Sequence, residues 1–309
     1  MKTKYFFLAA AASVMLTACS NDGEVNDRQI RLTTKNALMT RSTDQSLQLT
    51  QFAANSLVDI FLNDDASSDT EVSTYPQPVV YKADGEGNLT TNNGASYYWP
   101  VKMHALSIYG VYPSGAATSC DNTAISFSVQ ADQSAATAYN ASDLMTGAPS
   151  ANPVAQLENP AVVPLTFTHL LTKININLSK TTGTTDITDE DLANAVISIV
   201  NTKPTTTFNP KTATVTAATG DVTEITAGTG TTVSAIVVPQ TIAANQGLIQ
   251  VKIGDDTFLY APDAELTLAP KSVYTYNIRV NKPNIVVTSS ITSWSQVGTT
   301  DGMATLQVQ

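Results

Sequence analysis

Short runs in which apolar and polar residues alternate, broken by clusters of Asp, Asn, Gly, Pro and Ser, recur along most of the chain. Alternation with period two puts one set of side chains on one face of a pleated backbone, so each run predicts a half-buried strand. In residues 29–40, Ile30, Leu32 and Leu38 share a parity and predict a first strand of modest hydrophobicity. An apolar run from Ser56 to Leu62 ends at Asn63-Asp64-Asp65. Val79–Tyr81 and Tyr97–Trp99 flank Asp84-Gly85-Glu86-Gly87-Asn88, a composition suited to a hairpin loop. Leu106, Ile108, Gly110 and Tyr112 alternate, as do Ile125, Phe127 and Val129.

Two prolines within residues 160–164 read as a linker, because proline removes a ladder donor. A second strand series begins at Leu165. Leu165, Phe167 and His169 share one parity, whereas Leu170, Ile174, Ile176 and Leu178 take the other, which predicts a bulge or a strand buried on both faces. Thr188-Asp189-Glu190-Asp191 has the form of a capping box and predicts one short helix. Strand patterns follow at 196–200, 233–238, 248–253, 258–261, 273–280 and 285–291, and the last residues alternate again. The expected fold is all-β: two tandem antiparallel sandwiches, the first over 42–160 and the second over 161–309.

Composition supports this class, since β-branched Thr and Val are abundant and suit strands better than helices. The net charge of -10 argues against nucleic acid, whose phosphates require Lys and Arg. The start, MKTKYFFLAAAASVMLTACSND, has a basic n-region, a short apolar run and small residues, the form of an export signal over 1–18. Leu16-Thr17-Ala18-Cys19 resembles a lipobox, in which Cys19 is the lipidated residue. Acyl chains there hold a protein at a membrane by about 0.8 kcal/mol per buried methylene. The other cysteine is Cys120, so the exported body has no internal disulfide to rely on. Without residues 1–18, 14 basic side chains face 26 acidic ones, a net -12.

No set of residues reads as catalytic. There is no Gly-x-Ser-x-Gly elbow, no phosphate-binding glycine loop and no paired histidines for a metal. His104 and His169 lie in strand-like runs and are expected to be packed or hydrogen-bonded. The acidic group Asp186, Asp189, Glu190 and Asp191 fits a helix N-terminus rather than a calcium loop. Tyr97, Tyr98 and Trp99 are expected to serve mainly as core, with a sugar-stacking platform as the alternative. Neither enzymatic activity, a cofactor nor a metal is expected.

The chain carries, in order, the lipobox at 16–19, Tyr97-Tyr98-Trp99-Pro100, residues 106–113 and 142–147, residues 165–174, and residues 268–278 with Ile291-Thr292-Ser293-Trp294. Taken together, these segments resemble the fimbrillins of Bacteroidales, the type V pilins and their Mfa-like relatives. The resemblance implies transthyretin-like sandwiches in a surface-exposed lipoprotein of the outer membrane, anchored through Cys19 before maturation. It also implies a trypsin-like protease that cuts after an Arg and removes the first strand. Arg41 stands at the matching place, so residues 19–41 are the expected propeptide and Ile30, Leu32 and Leu38 mark the displaced strand. Arg28 and Arg31 are rival cut sites. Segment 285–309 corresponds to a donor strand that enters a neighbouring copy or a related fimbrial subunit, with Ile285, Val287, Ile291, Leu306 and Val308 as anchors. Loss of residues 1–41 gives a net charge of -13. The implied role is a stalk subunit serving adhesion to a host or bacterial surface ligand. The alternative is an anchor, a tip, or a surface lipoprotein that binds glycan without polymerising.

Overall fold

The computed structural model describes residues 28–34, 52–65, 72–100, 104–153, 162–183, 186–281, 284–294 and 306–307. Two short helices, Ala136–Ser142 and Asp189–Ala193, accompany the strands of these segments. The fold is all-β, as expected, and its sheets are mainly antiparallel. Among the described strands two pairings are parallel: Leu32–Thr33 with Val163–Pro164, and Thr172–Lys180 with Ser272–Asn281.

The first sheet runs Val163–Pro164, Leu32–Thr33, Asn88–Thr91, Val79–Ala83, Leu57–Asp64, Leu106–Tyr112, Met145–Ala148, Thr166–His169. Its two end strands are separated in the chain by Leu165 alone, so the sheet curls until its ends meet. Leu165 is fully buried at that seam. The interior is filled by Ile30, Leu32, Ile60, Leu62, Trp99 and Ile108, among others. Leu57–Asp64 is apolar on both parities because it serves two cores: Ile60 and Leu62 face this interior, while Phe61 joins the second core. The loop at residues 84–87 closes a hairpin between Val79–Ala83 and Asn88–Thr91, so the expected partner, Tyr97–Trp99, is displaced by the nearer strand.

Glycines shape one wall of this sheet. Gly110 and Gly147 are cross-strand neighbours, and the Phe167 ring lies against both. A Cβ on Gly147 would sit 2.7 Å from that ring, which is itself held edge-on by Phe52 at 4.9 Å. Gly147→Ala is therefore expected to cost about 1–3 kcal/mol through overpacking. Thermal denaturation checks this; an unchanged midpoint would mean the ring yields freely.

The second core lies between two further sheets. One is five-stranded, in the order Thr232–Val237, Thr172–Lys180, Ser272–Asn281, Asn284–Ser293, Leu306–Gln307. The other is four-stranded, in the order Thr223–Thr229, Val196–Thr202, Ile249–Ile253, Asp256–Tyr260. Ile174, Ile176, Tyr276 and Ile278 from the first pack with Ile197, Ile199, Ile249 and Val251 from the second. The parity switch near residue 170 is neither a bulge nor a two-faced strand. Thr166–His169 ends the first sheet and Thr172–Lys180 starts the next, with Leu170 and Leu171 buried at the corner. The sheet assembled from residues 32–148 thus extends past residue 160 to His169. The Thr188 hydroxyl accepts from Asp191 N and the Asp191 carboxylate accepts from Thr188 N, which is the expected capping box.

Candidate functional site

The N-terminal segment 28–34 is wedged between Asn88–Thr91 and Val163–Pro164, and so joins that end strand to the rest of the first sheet. Along one side it pairs antiparallel: Ile30 N donates to Tyr97 O at 2.8 Å, Trp99 N to Arg28 O at 2.9 Å and Thr34 N to Gly87 O at 2.7 Å. Leu32 and Thr33 are in register with Leu89 and Asn88. Along the other side Val163 N donates to Arg31 O at 2.8 Å and Leu165 N to Thr33 O at 2.7 Å. These donors fall on alternate residues, so Pro164, which has no N–H, faces the other way without breaking the ladder. The segment expected to be a linker is thereby a short strand in its last residues. Ile30 and Leu32 are 4% and 2% exposed, as their shared parity predicts. Each such burial contributes about 1.5–3 kcal/mol. Leu38, the third residue assigned to this strand, lies outside the described residues, as do Arg41 and Cys19.

Both rival cut sites are held within this segment. The Arg28 guanidinium donates to Trp99 O at 2.9 Å and to Pro100 O, and the Arg31 carbonyl is paired with Val163. A protease binds its substrate as an extended strand through the same backbone groups. Pairing therefore shields the bonds after Arg28 and Arg31 while the strand is seated.

The expected donor segment, 285–309, is divided. Asn284–Ser293 forms a ten-residue antiparallel hairpin arm against Ser272–Asn281 of its own chain. Val287 is 4% exposed in the second core and Ile291 packs against it, so within this chain these two expected anchors contribute to its own core. Leu306–Gln307 pairs with Thr288–Ser289 at the edge of the same sheet. Val308 lies outside the described residues, and for Ile285 and Leu306 only the backbone pairing is described.

Trp294 pins the arm just before the tail. Its N donates to Lys271 O at 2.8 Å, and its ring stacks on His169 with centroids 4.2 Å apart and planes 9° apart. His169 Nδ1 lies 2.7 Å from Asp143 Oδ1, with all three side chains buried. His169 closes the first sheet, so this cluster fastens the second module's last arm to the first. His169→Ala would leave the Asp143 carboxylate buried without that partner, at about 1–3 kcal/mol, and remove a stacked ring worth about 0.5–1.5 kcal/mol. Urea midpoints check it: Asp143→Asn, which keeps a hydrogen-bonding group, should lose less, and equal losses would contradict the account.

Other polar groups are also engaged. His104 Nδ1 contacts the Asp64 carboxylate at 3.0 Å, and Asp64 also accepts from Ser73 N at 2.8 Å. Asp59, buried in a strand, accepts from Ser114 Oγ at 2.5 Å and Gly115 N at 2.7 Å. Burial pushes the Cys120 thiol up from its ordinary value, which keeps it protonated, and Asn63 Nδ2 lies 3.3 Å from its sulfur. Tyr97, Tyr98 and Trp99 divide: Trp99 is core, Tyr97 is half-buried and Tyr98 is 40% exposed.

Comparison with known proteins agrees with this architecture. The chain is 27% identical over 308 residues to Fim1C of Bacteroides uniformis, which is named a candidate fimbrium subunit; the match covers 96% of each chain. A crystal structure of a candidate cell-adhesion protein from Bacteroides uniformis superposes with a TM-score of 0.65 at 24% identity. It covers 86% of this chain and 98% of that one. Another, from Bacteroides ovatus, gives a TM-score of 0.61 at 18% identity over 86% and 96% of the two chains. A family model described as fimbrillin-like matches residues 40–294, and the chain belongs to that family.

Proposed function

We propose that this chain is a structural stalk subunit of a cell-surface fimbrium, exported as a lipoprotein and polymerised by strand exchange after proteolysis. The observation that carries the reading is the seat of segment 28–34. It is the link that closes the first sheet, and it lies N-terminal to everything else the sheet contains. Its loss would leave unpaired backbone on Asn88–Thr91 and Val163–Pro164 and an apolar slot where Ile30 and Leu32 sat, a template for a strand from another chain. The cut is assigned to Arg41, before the first module, because the bonds after Arg28 and Arg31 are shielded by pairing. Lipidation is assigned to Cys19, with the acyl chains in the outer membrane until the cut releases the body.

The donor is the tail beyond Trp294. Fully extended, the fifteen residues 295–309 would reach about 50 Å, enough to cross from one module to another molecule. Thr305-Leu306-Gln307-Val308-Gln309 repeats the polar–apolar alternation of Gln29-Ile30-Arg31-Leu32-Thr33. In that register Leu306 and Val308 enter the slots of Ile30 and Leu32. A head-to-tail contact of this kind does not close on itself and builds a filament. The modules are then a propeptide over 19–41, a first sandwich from 42 to about 169, and a second to the C-terminus. The partners are further copies of this chain or related subunits, a trypsin-like protease, and a surface ligand for adhesion.

Digestion of the precursor with a trypsin-like protease tests the reading. A new N-terminus at Ser42 and ladders on an unboiled gel are the expected result. A trimmed chain that stays monomeric would favour an anchor or tip role instead.

A further inference from the structure

A cleft of about 270 Å³ opens on the first sheet between Pro76, Pro78, Val80, Asn92, Asn93 and Tyr97. That is just below the usual range for ligand sites, room for a sugar ring rather than a long peptide. One wall is apolar, built from the prolines, Val80 and the half-exposed Tyr97 ring. The turn carrying Asn92 and Asn93 forms the other, and both asparagines are exposed. The Asn93 carbonyl oxygen accepts from Ala95 N at 3.0 Å, which fixes the carboxamide and leaves its two N–H donors for a ligand. Asn92 is held through its backbone, donating to Val80 O at 2.9 Å, and among the described residues its side chain makes no hydrogen bond.

Among the described residues, the lining holds no charged side chain. It therefore offers nothing to pair with a phosphate, a sulfate, a carboxylate or an ammonium group. It does offer a ring face beside groups that both donate and accept. A pyranose presents the matching surface, with C–H groups on one face and hydroxyls around its edge. The wall is also firmly placed: Tyr97 O accepts from Ile30 N, and the neighbouring Tyr98 O accepts from the Tyr75 hydroxyl at 2.8 Å.

We infer that this cleft is a subsite for an uncharged sugar residue of a surface glycan, with Tyr97 as the stacking platform and Asn92 and Asn93 as the hydroxyl readers. This deepens the adhesive part of the proposed function, but binding needs neither cleavage nor polymerisation. The test uses the full precursor chain in detergent. It is applied to an array of neutral oligosaccharides ending in galactose, mannose, fucose or N-acetylglucosamine, beside their sialylated and sulfated forms and a proline-rich peptide. Capture of a neutral glycan is expected, weakened about tenfold or more by Asn92→Ala and by Tyr97→Leu. Both substitutions leave the backbone bonds in place, and circular dichroism would verify the fold. Leu259→Ser, on an edge strand of the four-stranded sheet, should change nothing. Three results would overturn the assignment: no neutral glycan bound, capture only of charged glycans or the peptide, or neutral binding that ignores both substitutions. Filaments that fail to form would count against strand exchange and leave this result standing.

Discussion

Arg41→Ala should give a precursor that folds, reaches the cell surface and never enters a filament. Ile30 and Leu32 would remain in their slots, and displacing them means exposing two large side chains at about 1.5–3 kcal/mol each. The flanking hydrogen bonds add about 0.5–1.5 kcal/mol net apiece. A donor from another molecule gains no more than this and also loses its own freedom, so exchange against a covalently tethered strand is disfavoured. The tether decides the competition: once cut, the old strand leaves at low concentration and does not return. Gel ladders and the mass of the cell-associated protein check this. Filaments built from Arg41→Ala would place the cut elsewhere or remove it from assembly. Arg28→Ala and Arg31→Ala should still polymerise, since neither bond is open to a protease in the seated strand.

Replacing Leu306 and Val308 together by Asp should abolish filaments and leave monomer stability nearly unchanged. An Asp in each slot forfeits the burial of the apolar side chain and desolvates a carboxylate with no partner, a cost of several kcal/mol per site. That is a loss of more than about a thousandfold in contact affinity. The monomer should tolerate the change, because Leu306–Gln307 is the outermost described strand of its sheet and, among the described residues, pairs with two. Asp at Val287 should behave differently and unfold the second module, since that side chain is buried in its own core. Size-exclusion profiles and urea midpoints separate the two outcomes. Filaments that persist with both tail substitutions would remove the tail from the contact.

The strands with strong alternation were legible in the sequence because period two survives wherever one face is buried. Leu106–Tyr112, Ile249–Ile253 and Ser272–Asn281 are of this kind, and so is the pair Ile30 and Leu32. Thr205–Asn209 and Thr223–Thr229 were not, because Thr occupies both faces and blurs the pattern. Ala136–Ser142 escaped notice since it has no side-chain cap and no charged first turn. What the sequence hides most is pairing between distant segments. Nothing local says that Val163 joins Arg31, or that Leu165 draws both ends of a sheet together. The docking of Val287 was equally hidden, as an alternating strand reads the same whether its partner is its own chain or a neighbour's. The His169–Asp143–Trp294 cluster was foreshadowed only by the expectation that His169 is engaged.

Central to the account is the claim that the tail of one subunit takes the place of segment 28–34 in another. It is tested most directly by a cysteine pair, Gln307→Cys with Thr90→Cys, in a Cys120→Ala background. Thr90 lies on Asn88–Thr91, the strand beside the slot. Oxidation after cleavage is expected to link neighbouring subunits into a covalent ladder that survives boiling, while the uncut precursor gives none. A cleaved, polymerised sample that forms no intermolecular bond between these positions, or that links them within one chain, would contradict strand exchange at this groove.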